Sequence, residues 1–207
     1  MDQSELLFKE ETHEYFVKNI RVPSVSEILR VGGFTEEMPW KAAKVKAVLG
    51  TYVHHAARLY LDNNLDEATV VDDVAEYFAG VKQFLDKECA DKSCVIVKER
   101  PLYSTRWGFA GTCDLVILKK KKYILIDYKT SNEIYPATAL QLAAYATLIE
   151  ENLGIKISER WVAHIGRNKH SIKKFTDPTD VGVFLGAVMG WKFKERNGLL
   201  KVGKDEK

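Results

Sequence analysis

The sequence of 207 residues predicts an α/β fold in which a helical region precedes a sheet-forming core. Apolar residues recur with helical spacing over about 40–63 and 72–89. Segments rich in β-branched and aromatic residues follow between about 95 and 128. A helix, two more strands and a last helix at about 178–198 complete the alternation that is typical of an α/β sheet.

The first elements are a hairpin and a capped helix. Apolar residues flank a polar pair at 18–19, which predicts a turn between strands at 13–17 and 20–22. Ser24 followed by Glu27 has the spacing of a capping box, so a helix begins here. The Gly-Gly pair a few residues later ends this helix.

Two hydrophobic strands form the predicted centre of the sheet. Their sequences are apolar on both faces, as strands covered on both sides should be. Four lysines at 119–122 form the turn between them. After the two helical stretches at 40–63 and 72–89, the predicted elements are strands at 95–97, 107–118 and 123–128, a helix at 136–151 closed by Gly154, and strands at 160–165 and 171–175.

Composition excludes several classes of protein. Lys and Arg number 31 against 29 Asp and Glu, and a net charge of +2 does not indicate a nucleic-acid binder, although a local basic groove fits within such a total. No run of about 18 apolar residues exists, so we expect no transmembrane helix. The three cysteines, Cys89, Cys94 and Cys113, lack a C-x-x-C pair, so we expect reduced thiols and no disulfide framework or iron–sulfur cluster.

Three charged residues at the ends of the central strands have the clearest chemistry. Asp114 lies early in the first strand, while Asp127 and Lys129 end the second. Because the strands form an antiparallel hairpin, we expect both carboxylates at one edge of the sheet, with Lys129 on the side of Asp127. The carboxylates can hold Mg²⁺, and the ammonium can orient or deprotonate a metal-bound water. A salt bridge at the sheet edge is the alternative.

Other polar residues are candidates for ligand or DNA contacts. His54 neighbours His55 on a predicted helix, and adjacent positions point about 100° apart, so only one can face a site. Gln141 and Tyr145, four apart, share a helix face, from which they can contact phosphates or bases. A Tyr145 packed on the sheet is the alternative. Glu99 can orient a water or pair with a lysine.

A basic and aromatic cluster lies on the helix that leads to His54. Trp40 can stack on a base, while Lys41 and Lys44 can bind phosphates. A solvated helix face is the alternative for these residues.

Three motifs follow one another in a characteristic order: Gly111-Thr112-x-Asp114, Asp127-x-Lys129 and Gln141-x-x-x-Tyr145. Together they resemble the PD-(D/E)xK nuclease superfamily, in its RecB-like exonuclease branch. Cys113 replaces the proline of the family's name. The upstream Gly50-x-x-x-His54 is similar to the motif of that branch whose histidine ligates metal, and Glu99 falls where these enzymes often carry a glutamate.

The resemblance extends to the N-terminal segment and covers roughly residues 13–165. His13-x-Tyr15 and Val22-Pro23-Ser24-Val25-Ser26 look like the start of phage-type and mitochondrial-maintenance-type members. This similarity implies that Ser24 and Ser26 contact DNA.

The resemblance implies a restriction-endonuclease-like core with a central mixed β-sheet flanked by helices and an inserted helical cap. We expect one nuclease domain over 1–207, with a cap or arch at 36–90 and the catalytic sheet core at 91–178. The implied activity is a DNA exonuclease that uses two Mg²⁺ or Mn²⁺ ions and no iron–sulfur cluster.

Roles for individual residues follow from the same resemblance. Asp114 and Asp127 would ligate metal, with the Tyr128 carbonyl as a further ligand. His54 would complete a second metal position, and Lys129 would align the attacking water.

The resemblance also implies partners and a setting. The substrate would be single-stranded DNA or a duplex end. No G-x-x-x-x-G-K-[ST] motif is present, so unwinding would come from a helicase, and a single-strand annealing or binding protein is another expected partner. Without a signal or transit peptide, we expect a cytoplasmic protein of a bacterium or phage-infected host, in DNA repair or recombination.

Three alternatives stay open at this point. The first is a structure-selective endonuclease on the same core. The second is a catalytically silent module that binds DNA ends. The third is a zinc site formed by His54 or His55 with a cysteine.

Overall fold

The computed structural model of the protein describes residues 5–35, 40–90 and 92–200, with the side chains of residues 40–47 left out. In chain order the elements are β1 (Leu6–Lys9), β2 (Glu14–Val17), β3 (Ile20–Val22), α1 (Val25–Val31), α2 (Trp40–Leu61), α3 (Asp72–Glu88), β4 (Val95–Ser104), β5 (Phe109–Lys119), β6 (Lys122–Lys129), α4 (Ala137–Leu153), β7 (Glu159–Gly166), β8 (Lys169–Phe175) and α5 (Asp180–Arg196). Within the described ranges, no helix is long and apolar enough to cross a membrane.

The predicted mixed sheet is confirmed. In the described part of the chain, five strands pair in the order β4-β5-β6-β7-β8. Strands β6 and β7 are parallel and are joined through α4, while the other neighbours are antiparallel. Strands β5 and β6 are buried along most of their length, as their continuous apolar sequences predict. The fold is therefore a restriction-endonuclease-like α/β core.

Helices cover both faces of this sheet. On one face α1, α4 and α5 contribute to a single apolar cluster. On the other face lie α2 and α3, where Val53, Ala57 and Leu61 of α2 recur every four residues and pack with Leu115 and Ile126 of the sheet. In its described part, the segment predicted as a cap or arch is thus a layer of the core, because its apolar stripe needs the sheet to cover it.

The N-terminal hairpin is confirmed and gains a strand that the sequence did not indicate. Strand β1 pairs with β2, and together with β3 they form a small antiparallel sheet. This sheet is attached to the start of β5, because the hydroxyls of Tyr15 and Thr112 lie 2.8 Å apart and the Ala110 N–H donates to the carbonyl of Pro23. The N-terminal segment therefore lies beside the strand that carries Asp114.

Both ends of α1 form as predicted. The Ser24 hydroxyl accepts a hydrogen bond from the Glu27 N–H, as an N-cap should. The helix ends in a Schellman motif, in which the Gly33 N–H donates to the carbonyl of Arg30 and the Phe34 N–H donates to that of Leu29. The left-handed φ of +77° at Gly33 suits glycine.

The lysine turn is shorter than predicted. Lys119 and Lys122 pair with each other at the strand ends, so the turn consists of Lys120 and Lys121 alone. Both have positive φ, as in the two-residue turns that match the twist of a β-hairpin.

The prediction of three reduced thiols is wrong. Cys89 at the end of α3 and Cys94 just before β4 form a disulfide, because the short connection brings their Cα atoms to 5.8 Å. Cys113 is a free, buried thiol.

Candidate active site

A histidine and two carboxylates from three different elements converge at one edge of the sheet. His54 lies on α2, Glu99 on β4 and Asp114 on β5, and one potential ligand atom from each lies within 4.8 Å of the others. His54 Nδ1 is 3.3 Å from Glu99 Oε1 and 3.6 Å from Asp114 Oδ2. We call these three residues the ligand cluster.

The register of the sheet explains why the two carboxylates meet. Lys98 pairs with Leu115, which places Glu99 opposite Asp114 on the neighbouring strand. Glu99 has a φ of +39°, a left-handed conformation that residues with side chains rarely adopt. Inside a strand, away from a turn, such an outlier is typical of active sites, where the surrounding structure holds it.

The end of the β5–β6 pairing opens the site. The last pair is Leu115 with Ile126, so the strands separate before Asp114 and Asp127. Beyond this point the Tyr128 N–H donates to Asp114 Oδ2 at 2.9 Å. This hydrogen bond fixes the Asp114 carboxylate at the point where the two strands separate.

A neighbouring carbonyl determines which ring nitrogen of His54 carries the hydrogen when the imidazole is neutral. His54 Nε2 lies 3.2 Å from the Tyr128 carbonyl oxygen, which can only accept, so Nε2 carries the hydrogen. Nδ1 is then the nitrogen that faces Glu99 and Asp114. Histidines that bind metals usually donate their other ring N–H in this way. The Tyr128 carbonyl is predicted as a metal ligand, and in the structure it contacts His54 and orients its ring. The neighbouring histidine, His55, is exposed.

Asp127 and Lys129 form an ion pair next to the ligand cluster. Lys129 Nζ lies 2.8 Å from Asp127 Oδ2, although without hydrogen-bond geometry. Burial by itself lowers the pKa of Lys129, but the carboxylates of Asp127 and Asp114 outweigh it and raise that pKa. Lys129 is therefore an ammonium, and its predicted capacity to orient water fits this state better than proton abstraction.

The carboxylates of the ligand cluster favour a bound cation. Burial raises the pKa of Asp114 to about 8, with further upward contributions from Asp127 and Glu99 that His54 opposes. Burial lowers the pKa of His54, yet the nearby carboxylates, Asp114 above all, raise it to about 9. Several carboxylates crowded in a buried site favour any positive charge placed among them.

The donor atoms of this region fit a divalent metal ion. Among the described residues, the buried oxygens Glu99 Oε1 and Asp127 Oδ2 make ion-pair contacts to His54 at 3.3 Å and Lys129 at 2.8 Å, but neither contact has hydrogen-bond geometry. Buried carboxylate oxygens normally have partners, and hard divalent cations prefer such oxygens. A histidine nitrogen beside them suits Mn²⁺ at least as well as Mg²⁺. The described ligand cluster contains no cysteine, unlike the zinc site considered above.

Gln141 and Tyr145 share a helix face and lie over Lys129. Lys129 Nζ donates to Gln141 Oε1 at 2.9 Å, and Gln141 Nε2 donates to the Tyr145 hydroxyl at 3.0 Å. Tyr145 is only 7% exposed, and a Cβ on Gly111 would lie 2.7 Å from its ring. Its ring is thus packed on the sheet, as in the alternative stated above, and its hydroxyl accepts from Gln141.

A cavity of about 770 Å³ opens beside Lys129 and Gln141. Ser24 and Ser26 both line it, in keeping with their predicted contact with DNA, and Ser24 also caps α1. The predicted contacts of Trp40, Lys41 and Lys44 concern side chains outside the described residues.

Two further residues of this cavity were not found from the sequence. Arg30 and Phe34 line its wall. The signal available was the four-residue spacing of Ser26, Arg30 and Phe34, which places the first two on one face of the short helix. That spacing indicates a shared cavity wall only once the fold places α1 next to Lys129.

Comparisons with known proteins found a matching family and similar solved structures. The model of the PD-(D/E)XK nuclease superfamily matches residues 26–179, a range that includes the ligand cluster and Lys129. No curated protein sequence matches the chain. The crystal structure of a "putative exonuclease" from Eubacterium rectale is similar at a TM-score of 0.49 and 14% identity, over 84% of this chain and 74% of that chain. The crystal structure of SSO0001 is similar at a TM-score of 0.37 and 14% identity, over 74% of this chain and 76% of that chain.

Proposed function

Because the chain belongs to the PD-(D/E)XK nuclease superfamily, we propose that it is a divalent-metal-dependent exonuclease that hydrolyses DNA from its ends. The observation that carries this proposal is the convergence of His54, Glu99 and Asp114 within 4.8 Å, next to the Lys129–Asp127 pair. Lys129 also lines a cavity of about 770 Å³, through which a substrate would approach this pair.

Three side chains would hold a metal ion. His54 would bind through Nδ1, because its other ring nitrogen, Nε2, donates to the Tyr128 carbonyl. Glu99 and Asp114 would bind through carboxylate oxygens. Asp127, a buried carboxylate whose Oδ2 pairs with Lys129 at 2.8 Å, is the candidate to hold the second ion of the proposed pair. Bound Mg²⁺ or Mn²⁺ supplies Lewis acidity and lowers the pKa of water for attack on phosphorus.

Lys129 would orient the attacking water and balance the charge that develops on the phosphate. Its ammonium is fixed by Asp127 on one side and by Gln141 on the other. This double anchorage holds the charge at the edge of the cavity without reorganisation, which is the condition for strong electrostatic stabilisation of a transition state. Gln141 keeps its position because its amide donates to the buried Tyr145 hydroxyl.

The proposed substrate is single-stranded DNA or the end of a duplex. Ser24 and Ser26 lie on the cavity wall, where hydroxyl groups can donate to phosphate oxygens. The proposed setting is cytoplasmic DNA repair or phage recombination. A helicase or a single-strand annealing protein is the proposed partner.

Digestion of linear and circular DNA tests the exonuclease. End-labelled linear single and double strands are incubated with the full chain beside covalently closed circles, in Mg²⁺, Mn²⁺ or EDTA. We expect metal-dependent loss of linear DNA while the circles stay intact. Nicked or linearised circles would instead show a structure-selective endonuclease. Folded protein that binds ends and cleaves nothing in either metal would contradict the nuclease and leave a DNA-end-binding module.

A further inference from the structure

The cavity beside Lys129 has a second wall, formed by α1 and the residues that follow it. Ser26 and Arg30 are exposed, four residues apart, on one face of α1. Phe34 comes directly after the helix and is 41% exposed. All three line the same cavity as Lys129 and Gln141. A cation, a hydroxyl and an aromatic ring therefore face a space that begins at the proposed catalytic site.

Within the described residues, Arg30 is the arginine of the cavity that pairs with no carboxylate. The other arginine of the cavity, Arg21, is held by Glu14 at 3.0 Å and by Glu27 at 2.9 Å. Its charge is compensated by these two carboxylates. Arg30 lies on the exposed face of α1, where its guanidinium can pair with a phosphate in a bidentate manner.

Phe34 is held in position by the end of the helix. The Schellman motif anchors its N–H to the carbonyl of Leu29, and a Cβ on Gly32 would lie 2.9 Å from the Phe34 ring. The ring thus packs over Gly32 on one side, and part of it remains exposed at the cavity. An aromatic ring fixed in advance loses little conformational entropy when a flat ligand stacks on it.

The size of the cavity fits a single strand. At about 770 Å³ it lies in the range of about 300–1,000 Å³ that encloses a drug-sized molecule, the scale of a nucleotide and not of a duplex. Stacking on an aromatic ring requires a base face, which a duplex keeps covered except at its ends. Phosphate and unpaired base are the two chemistries that this wall offers.

We propose that the wall formed by Ser26, Arg30 and Phe34 binds an unpaired nucleotide next to the scissile phosphate, with Arg30 on a phosphate and Phe34 stacked on the base. This inference deepens the proposed function and rests on it for the identity of the scissile phosphate. It makes the protein selective for DNA that is single-stranded where it enters the site. Arg30 and Phe34 are binding residues and take no part in the chemistry.

Binding without cleavage tests this inference. The probe is a fluorescein-labelled oligothymidylate, and its anisotropy is titrated with the full chain in EDTA at several salt concentrations. A blunt duplex of the same length is titrated in parallel. Arg30→Ala and Phe34→Ala are compared with Arg196→Ala and Phe193→Ala, an exposed pair on α5 outside the cavity lining. Thermal melting confirms that each variant is folded.

We expect Arg30→Ala to weaken binding of the single strand about tenfold or more. It should also reduce the slope of log affinity against log salt by about 0.7, the value for a single phosphate that is no longer neutralised. Phe34→Ala should weaken binding about fivefold or more, with the salt slope and the affinity for the blunt duplex unchanged. The α5 pair should bind as the unsubstituted chain does.

Wild-type affinity and salt slope in both cavity variants would overturn the inference, as would an equal loss of duplex binding in Phe34→Ala. Cleavage assays separate this failure from failure of the proposed function. If the unsubstituted chain cleaves linear DNA while the cavity variants bind normally, only the nucleotide-binding wall is wrong. If the variants lose binding but no metal supports cleavage by the unsubstituted chain, the wall is right and the nuclease is wrong.

Discussion

Each ligand of the cluster is positioned by the surrounding backbone. Tyr128 serves two of them, because its N–H holds Asp114 and its carbonyl selects the tautomer of His54. The motifs and their resemblance to a nuclease family predicted His54, Asp114 and Asp127 as metal ligands. The orienting role of the Tyr128 backbone could not be predicted, because it depends on where the β5–β6 pairing ends.

Substitution of His54 should weaken metal binding selectively. In His54→Ala one of three ligands is removed, and we expect Mn²⁺ affinity to fall about tenfold to a hundredfold or more. His55→Ala is the matched control, since this neighbouring side chain is exposed and should leave the affinity unchanged. Isothermal titration with Mn²⁺ measures both. Equal losses of Mn²⁺ affinity in the two variants, or a loss in His55→Ala alone, would show that His54 is not the metal ligand.

The stability of the metal-free protein should fall as the pH rises. The pKa of Asp114 is raised to about 8, so the folded state binds a proton that the unfolded state has released above about pH 4. The pKa of His54 is raised to about 9, and its contribution is present below about pH 6.5 and disappears toward pH 9. Both shifts act in the same direction between about pH 6.5 and 8, and the shift of His54 continues to act up to about pH 9.

Thermal melting in EDTA and in excess Mn²⁺ checks this dependence. We expect Tm in EDTA to decrease from pH 6.5 to 9, and the stabilisation by Mn²⁺ to grow over the same range, because the ion replaces the released protons. A Tm in EDTA that rises with pH would show that these carboxylates are not crowded together in the folded protein.

At the scale of the elements, the packing of α4 on β5 sets the position of Gln141. The ring of Tyr145 fills the space above Gly111, where a Cβ would lie 2.7 Å from one ring carbon and 3.0 Å from Val25. The sequence indicated that Gly111 belongs to a motif. Its steric reason lies in the approach of a helix from a distant part of the chain, which no local pattern reveals.

Gly111→Ala should therefore destabilise the protein. Overpacking at this contact should cost about 1–3 kcal/mol, and the displaced Tyr145 should shift Gln141 away from Lys129 and lower the rate of cleavage. Gly190→Ala on α5 is the control, because nothing lies within 4 Å of its added Cβ. Alanine there should stabilise the helix by up to about 1 kcal/mol. Urea denaturation gives both values, and an unaffected Gly111→Ala would refute the close contact.

Local sequence patterns predicted most helices and strands, but not which face of the sheet each helix covers. The turn at 18–19, the caps of α1 and the buried strands β5 and β6 were predicted because each depends on neighbouring residues or on continuous apolar runs. Strand β1 was missed because it is short and forms only by pairing with β2. The placement of α2 and α3 on the sheet face, and the Cys89–Cys94 disulfide, depend on packing in three dimensions that spacing does not encode.

At the scale of the whole molecule, the ligand cluster and the cavity beside Lys129 draw on three separate parts of the chain. Helix α2 brings His54, the sheet brings the carboxylates and Lys129, and the N-terminal segment supplies the cavity wall. The N-terminal sheet is tied to β5 through Tyr15 and Thr112, so the wall and the ligand cluster are held by one scaffold. Cleavage should accordingly require the N-terminal segment as well as the sheet core.

The central claim is that the ligand cluster and Lys129 form a metal-dependent catalytic centre. The most direct test is release of nucleotides from linear DNA in Mn²⁺ by the unsubstituted chain, Lys129→Ala and Lys122→Ala, the last a lysine at the opposite end of the same strand that pairs with Glu159. We predict cleavage that EDTA stops, a loss of at least about a hundredfold in Lys129→Ala, and full activity in Lys122→Ala. Equal activity in all three folded proteins, or cleavage that persists in EDTA, would contradict the claim.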